Sequence, residues 1–210
     1  MAWRDDVRAA VAAGGNDFAA HVTALAPTRG AWKHADEPAL AGLEVWGKTL
    51  AERDAAAGIG ALVLVAQHGF PIATDAGGDQ IENMGYFAKE KHADGKPVEE
   101  QLARVLAWLD APTDANRKRV AEAFDRTRQL NAWDPDMNVT DEVAFYWYLE
   151  VGQAACAAVL GEGDDPEGDS YYAWPAPLCV GRGLVLAIRG LRMPRTSVGP
   201  LVKAAAEALT

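Results

Sequence analysis

Cysteine is scarce in this chain. Cys156 and Cys179 are the only two among 210 residues, and they form no C-x-x-C pair. This usage argues against a disulfide framework and indicates two small core residues in a reducing compartment. We therefore predict a cytoplasmic protein.

Long hydrophobic runs are missing as well. The N-terminus, MAWRDDVRAA, is charged and lacks the apolar segment that directs secretion. The longest uninterrupted apolar runs, near Ala61–Ala66 and Ala154–Leu160, are far too short to span a bilayer. We expect neither a signal peptide nor a membrane span.

Basic residues are outnumbered by acidic ones. Lysine and arginine total 20 against 30 aspartates and glutamates, which gives a net charge of −10. Surfaces that bind nucleic acid or anionic membranes are basic, so this balance argues against both partners. It leaves room for a basic protein partner, although many proteins are acidic for solubility alone.

Motifs for catalysis or metal binding are also lacking. The four histidines form no H-x-x-x-H helix, and no serine lies in a G-x-S-x-G elbow. Residues 42–49, GLEVWGKT, match the phosphate-loop pattern, but no strand precedes them and they continue a helical stripe. Residues 134–138 begin like a calcium loop, yet Val139 and Phe145 replace the glycine and glutamate it requires. We expect no catalytic residue, cofactor or metal.

The strongest positive feature is residues 140–160, which read TDEVAFYWYLEVGQAACAAVL and are apolar on nearly every face. Thr140 can cap a helix here, and Gly161 is a natural stop. A helix that is apolar all round must be buried all round. We predict a single-domain, all-α multi-helix bundle around this buried central helix.

Helical periodicity and capping residues predict further helices elsewhere in the chain. Thr113 or Asp114 is expected to cap one of them. Residues 59–74 are ambiguous between a buried helix and a hairpin that turns at 68–69, and we favour the helix because its neighbours are helical. The remaining predicted helices cover 2–13, 16–26, 38–57, 97–110, 114–130, 178–190 and 198–209.

Two features could carry a function. Glu150 lies well inside the apolar helix, where a buried carboxylate can mark a functional site. Alternatively, it lies at a helix edge or pairs with Arg182 or Arg189.

The segment 161–177, GEGDDPEGDSYYAWPAP, combines acids that steer association with aromatic residues that dominate interface hot spots. Its candidate partner-binding residues are Asp164, Asp165, Glu167, Asp169, Tyr171, Tyr172 and Trp174. Alternatively, the aromatic side chains fold back onto the bundle and the acids are simply solvated.

A weak likeness to known proteins covers about a third of the chain. Residues 96–129, KPVEEQLARVLAWLDAPTDANRKRVAEAFDRTRQ, and the aromatic-alanine helix after them resemble helical bacterial proteins of the polymorphic-toxin immunity type. They are also similar to a helical family of unknown function that has a tryptophan, a Pro-[Ser/Thr]-Asp turn and an Asn-Arg pair. Here these are Trp108, residues 112–114 and residues 116–117. The resemblance implies a non-enzymatic protein that binds and blocks a partner.

We therefore predict a bacterial immunity protein that neutralises a cognate, possibly basic, toxin. Two alternatives stay open. One is an enzyme or small-ligand-binding protein with a polar pocket near Glu150, Tyr146 and Tyr148. The other is a structural subunit of a larger assembly.

Overall fold

The computed structural model describes residues 2–13, 20–21, 37–76, 96–128, 143–161, 174–189 and 209. All regular structure in these ranges is helical, which confirms the predicted all-α class. No helix in these ranges is long and apolar enough to cross a bilayer. Most of the predicted helices 16–26 and 198–209 lies outside the described residues. The helices are α1 (Ala2–Ala13), α2 (Glu37–Arg53), α3 (Ala55–Ala76), α4 (Lys96–Asp110), α5 (Asp114–Arg128), α6 (Val143–Leu160) and α7 (Ala176–Arg189).

The predicted helix over 38–57 is in fact two helices that meet at Asp54. The Asp54 carboxylate accepts a hydrogen bond from the Ala57 backbone N–H at 3.0 Å. An aspartate that satisfies one of the unpaired N–H groups of a helix start acts as an N-cap. Asp54 therefore ends α2 and begins α3, and the helix favoured for 59–74 is confirmed as part of α3.

The predicted central helix is buried over residues 151–159, as its composition requires. Every residue of α6 from Val151 to Val159 is buried, and α6 contacts α3, α4, α5 and α7. Its end is also as predicted. Gly161 has φ of 77°, a conformation that glycine adopts without steric cost, and its N–H donates to the Ala157 carbonyl at 2.9 Å. The expected cap at Thr140 lies outside the described residues.

A second helix shares the centre of the bundle. Residues 57–66 of α3 are all buried, and α3 contacts α1, α2, α4, α6 and α7. The composition of residues 140–160 predicted one central helix, whereas the core forms around both α3 and α6. The largest side chains with almost no exposed area are Leu43, Leu50, Ile59, Leu62, Leu184, Ile188 and Leu209.

The turn between α4 and α5 is built by the residues that carried the likeness to other helical proteins. The Thr113 hydroxyl accepts a hydrogen bond from the Asn116 backbone N–H at 3.3 Å, so Thr113 is the cap. The Asn116 side-chain amide donates to the carbonyls of Ala107 and Ala111, which end α4. Arg117 reaches across to the carbonyl of Leu160 at the end of α6. These polar side chains therefore supply hydrogen bonds to backbone N–H and C=O groups at the ends of the helices.

Candidate partner-binding site

The predicted partner-binding segment is described only at its two ends. Gly161 and residues 174–177 are described, whereas residues 162–173 are not. Trp174 is thus the one predicted site residue with an observed position. The other six, which all lie outside the described residues, are Asp164, Asp165, Glu167, Asp169, Tyr171 and Tyr172.

Trp174 is attached to the helical body directly before α7. Its side chain is partly buried and packs against the hydrophobic core. The Arg182 guanidinium lies over its ring, with the central carbon 4.0 Å from the ring centroid. The buried Cys179 thiol also donates to the Trp174 carbonyl at 3.6 Å. For Trp174, these contacts favour the alternative in which an aromatic side chain folds back onto the bundle.

Arg182 connects this tryptophan to α2. Its Nε lies 3.6 Å from an Oε1 of Glu44, and the two side chains are 43% and 36% exposed. A stacked cation at a partly exposed site contributes about 0.5–1 kcal/mol. A solvated ion pair contributes at most about 1 kcal/mol. The guanidinium is therefore held from two sides by modest interactions, and it contacts Glu44 rather than Glu150. Glu150 itself is half-buried.

The opposite end of the segment is held as well. Gly161 closes α6 through its hydrogen bond to Ala157, and Arg117 of α5 caps the adjacent Leu160 carbonyl. Arginine at a helix C-terminus also faces the negative end of the helix dipole. Gly161 and Trp174, the described residues on either side of 162–173, are therefore both next to positions held by contacts within the helical body.

Two glycines explain why Glu44 and Arg182 are neighbours. A Cβ built on Gly181 would lie 2.5 Å from the backbone oxygen of Glu44, and one built on Gly47 would lie 3.2 Å from the Gly181 Cα. Only glycine permits two helix backbones to approach this closely. The crossing of α2 and α7 at Gly181 thus places the adjacent Arg182 beside Glu44.

We expect Gly181→Ala to lower the free energy of unfolding, because overpacking costs about 1–3 kcal/mol and the gain in helix propensity offsets only about 1 kcal/mol of that cost. The new methyl group would meet a helix backbone that cannot rotate away. Urea unfolding measures the change. In Gly47→Ala the new methyl first meets the mobile end of Leu184, so the expected loss is smaller. Unchanged stability of Gly181→Ala would show that the helices cross farther apart.

The phosphate-loop pattern at 42–49 lies wholly within α2, which confirms that these residues continue a helix. Lys48 is exposed and pairs with Glu52 one turn later at 3.7 Å. Since the backbone N–H groups of a helix interior bond within the helix, they cannot surround a phosphate. Gly47 instead serves the contact with α7. The calcium-like residues 134–138 lie outside the described residues, and those described include no group of three or more potential metal ligands.

Sequence reasoning missed two kinds of residue. The first is the pair of Glu44 and Arg182, since Arg182 was considered only as a partner of Glu150. The two residues are far apart in the chain, so only the α2–α7 contact reveals the pair. Gln101 of α4 and Gln153 of α6 are buried polar side chains, and Gln101 packs against the backbone of Gly152 in α6. Their polar character within apolar stripes was the available signal.

Comparison of the chain with protein-family models, curated proteins and solved structures found no match. The likeness to immunity proteins therefore depends on the quoted residues alone. In this structure Thr113, Asn116 and Arg117 satisfy helix ends, so their presence indicates a helical fold and carries no argument about activity.

Proposed function

We propose that this chain is a non-enzymatic protein that binds a basic protein partner through segment 161–177. In its most specific form the proposal is an immunity protein that neutralises a cognate toxin. The observation that carries it is the attachment of the segment at both ends, by Arg117 at Leu160 and by Arg182 at Trp174. A recognition segment held on a rigid body loses less conformational entropy on binding than a free one.

The composition of the segment supports a basic partner. Its five acids, which include the four candidate partner-binding acids, would raise the rate of encounter with a positively charged surface. Tyrosine is a residue type that supplies much of the binding energy in interface centres, so Tyr171 and Tyr172 would prolong the complex. In this arrangement Trp174 anchors the segment to the helical body. This role differs from the direct contact with the partner that the sequence alone suggested for Trp174.

Neutralising three segment acids should slow association with the partner by about tenfold at low salt. It should also flatten the salt dependence of the association rate while leaving thermal stability unchanged. The partner is obtained by co-purification with the tagged chain from the native host, and its binding kinetics are then followed by surface plasmon resonance. The variant combines Asp164→Asn, Asp165→Asn and Asp169→Asn.

A second triple variant controls for the change in net charge. It removes three exposed acids from α1 and α5 and should leave the association rate nearly unchanged. Its substitutions are Asp6→Asn, Glu122→Gln and Asp125→Asn. Equal slowing in both triple variants would mean that overall charge, and not segment 161–177, governs encounter.

The immunity form has its own test. Producing the partner alone should arrest growth of the host, and co-production of the chain should restore it. The triple segment variant should restore growth less well. A partner that leaves growth unaffected would exclude immunity and leave only the broader binding function.

A further inference from the structure

The Arg182 guanidinium is oriented before any ligand arrives. The Trp174 ring covers one of its faces, and Glu44 approaches its Nε edge. With 43% of the side chain exposed, the group is neither buried nor freely solvated. Stacking keeps the planar guanidinium, with its fork of N–H donors, in one orientation. This reduces the conformational entropy that the side chain loses when those donors bind a ligand.

The outer edge of this fork faces no acceptor within the described part of the chain. Arginine carries five N–H donors, and those on the two Nη atoms of Arg182 make no hydrogen bond to any described residue. Arg104 and Arg126 differ, because both already donate to the Glu100 carboxylate at 3.2 and 2.6 Å. Arg182 therefore combines a fixed orientation with donors that remain available.

The residue that follows Glu44 in α2 is aliphatic and exposed. Val45 follows Glu44 and is 63% exposed, more than any other large hydrophobic residue in the described ranges. Arginine and tryptophan are enriched in binding hot spots. A carboxylate fits the arginine fork with two parallel hydrogen bonds. The nearby Glu44 charge and the net charge of −10 disfavour a dianion more than a single carboxylate.

We propose that Arg182 binds a carboxylate of the protein partner at the surface where α2 and α7 cross. This inference rests on the proposed function only in assigning the carboxylate to a protein. A single acidic side chain within an otherwise basic partner surface would fix how the two proteins align. In any other alignment the partner's carboxylate would lose its hydrogen bonds to the Arg182 guanidinium.

The probe for the site itself is N-acetylglutamate amide, whose only charged group is one carboxylate. It is titrated at constant ionic strength into the full chain labelled with ¹⁵N-arginine, and the side-chain resonances are followed by NMR. We expect a saturable shift at Arg182, which is assigned with Arg182→Lys, and no saturable shift at Arg126. Absence of the Arg182 shift, or an equal shift at Arg126, would overturn the proposal.

The stacking partner provides a second readout. Trp174→Leu should weaken binding of the probe by about two- to fivefold, the loss that corresponds to one exposed cation–π contact. Trp174→Phe keeps an aromatic face and should lose less. Amide spectra of both variants establish that the fold is retained. Unchanged affinity in Trp174→Leu, or tighter binding of dianionic phosphate than of the carboxylate probe, would overturn the proposal.

Binding to the protein partner separates this inference from the proposed function. Arg182→Lys keeps the charge and loses the bidentate fork, so it should speed dissociation by about tenfold. If the triple segment variant slows association and Arg182→Lys leaves dissociation unchanged, this inference fails and the proposed function stands. If neither variant alters binding, both fail.

Discussion

Replacing Leu62 with alanine is expected to lower the free energy of unfolding by about 2–5 kcal/mol. Leu62 has no exposed area and lies in α3, one of the two central helices. Its methyl groups lie against the backbone of Gly183 in α7. A Cβ built on Gly183 would lie only 2.7 Å from the nearer of the two methyl carbons. A wall of helix backbone relaxes less than flexible side chains, so the cavity would persist and the loss should fall in the upper part of this range.

Denaturant unfolding measures this change, and the denaturant midpoint should fall with little change in the slope. Val45→Ala is a matched control, since it also shortens an aliphatic side chain but at an exposed helical position. Its effect should stay within about 0.5 kcal/mol. If the two variants are equally stable, α3 is not central to the core.

Both cysteine thiols should be unreactive until the protein unfolds. Cys156 of α6 and Cys179 of α7 are both buried. Burial raises the pKa of the Cys179 thiol from 9.0 to about 12, and it raises the pKa of Cys156 further. The thiolate is the reactive form, so the native protein presents neither a reactive nor an accessible sulfur.

Labelling with a disulfide reagent at pH 8 tests this expectation. The rate in native protein should be at least about 10³-fold below that of the chain in denaturant, because labelling requires opening that costs several kcal/mol. Val45→Cys introduces an exposed thiol and should react at nearly the unfolded rate. If a native cysteine reacts as fast as that control, that thiol is not buried in the folded protein.

The same raised pKa values predict a loss of stability at high pH. Above pH 9.0 the thiols ionise in the unfolded chain while the native protein keeps them protonated. The native state then binds more protons, so the free energy of unfolding falls as pH rises, by up to about 1.4 kcal/mol per pH unit for each thiol. Below pH 9 these groups contribute no slope. Combining Cys156→Ala with Cys179→Ala should flatten the stability curve between pH 9 and 12, and an unchanged curve would contradict the burial of both thiols.

Helix positions were largely predictable because their signals are local. The stripe that predicted a helix over 97–110 buries Val105 and Leu109 of α4, and Gly161 ends α6 as expected. Capping and 3.6-residue periodicity act over a few neighbouring residues, which one sequence displays in full. The boundary at Asp54 was the local signal overlooked.

The candidate site was less predictable. The aromatic and acidic composition of segment 161–177 marked it as a recognition candidate, but whether Trp174 faces solvent or the bundle depends on what lies across from it. That neighbour is Arg182, whose own position follows from the contact of Gly181 with the backbone of Glu44.

The sequence by itself therefore determined the all-α class, the burial of residues 151–159 in α6 and most helix bounds, since each depends on side chains close together in the chain. Tertiary structure alone decided that α3 shares the centre with α6 and that Glu44 lies beside Arg182. The formal phosphate-loop glycine, Gly47, likewise became a helix-crossing residue only in the folded chain. These outcomes depend on which helix faces meet, and that choice is made by the packing of residues distant in sequence.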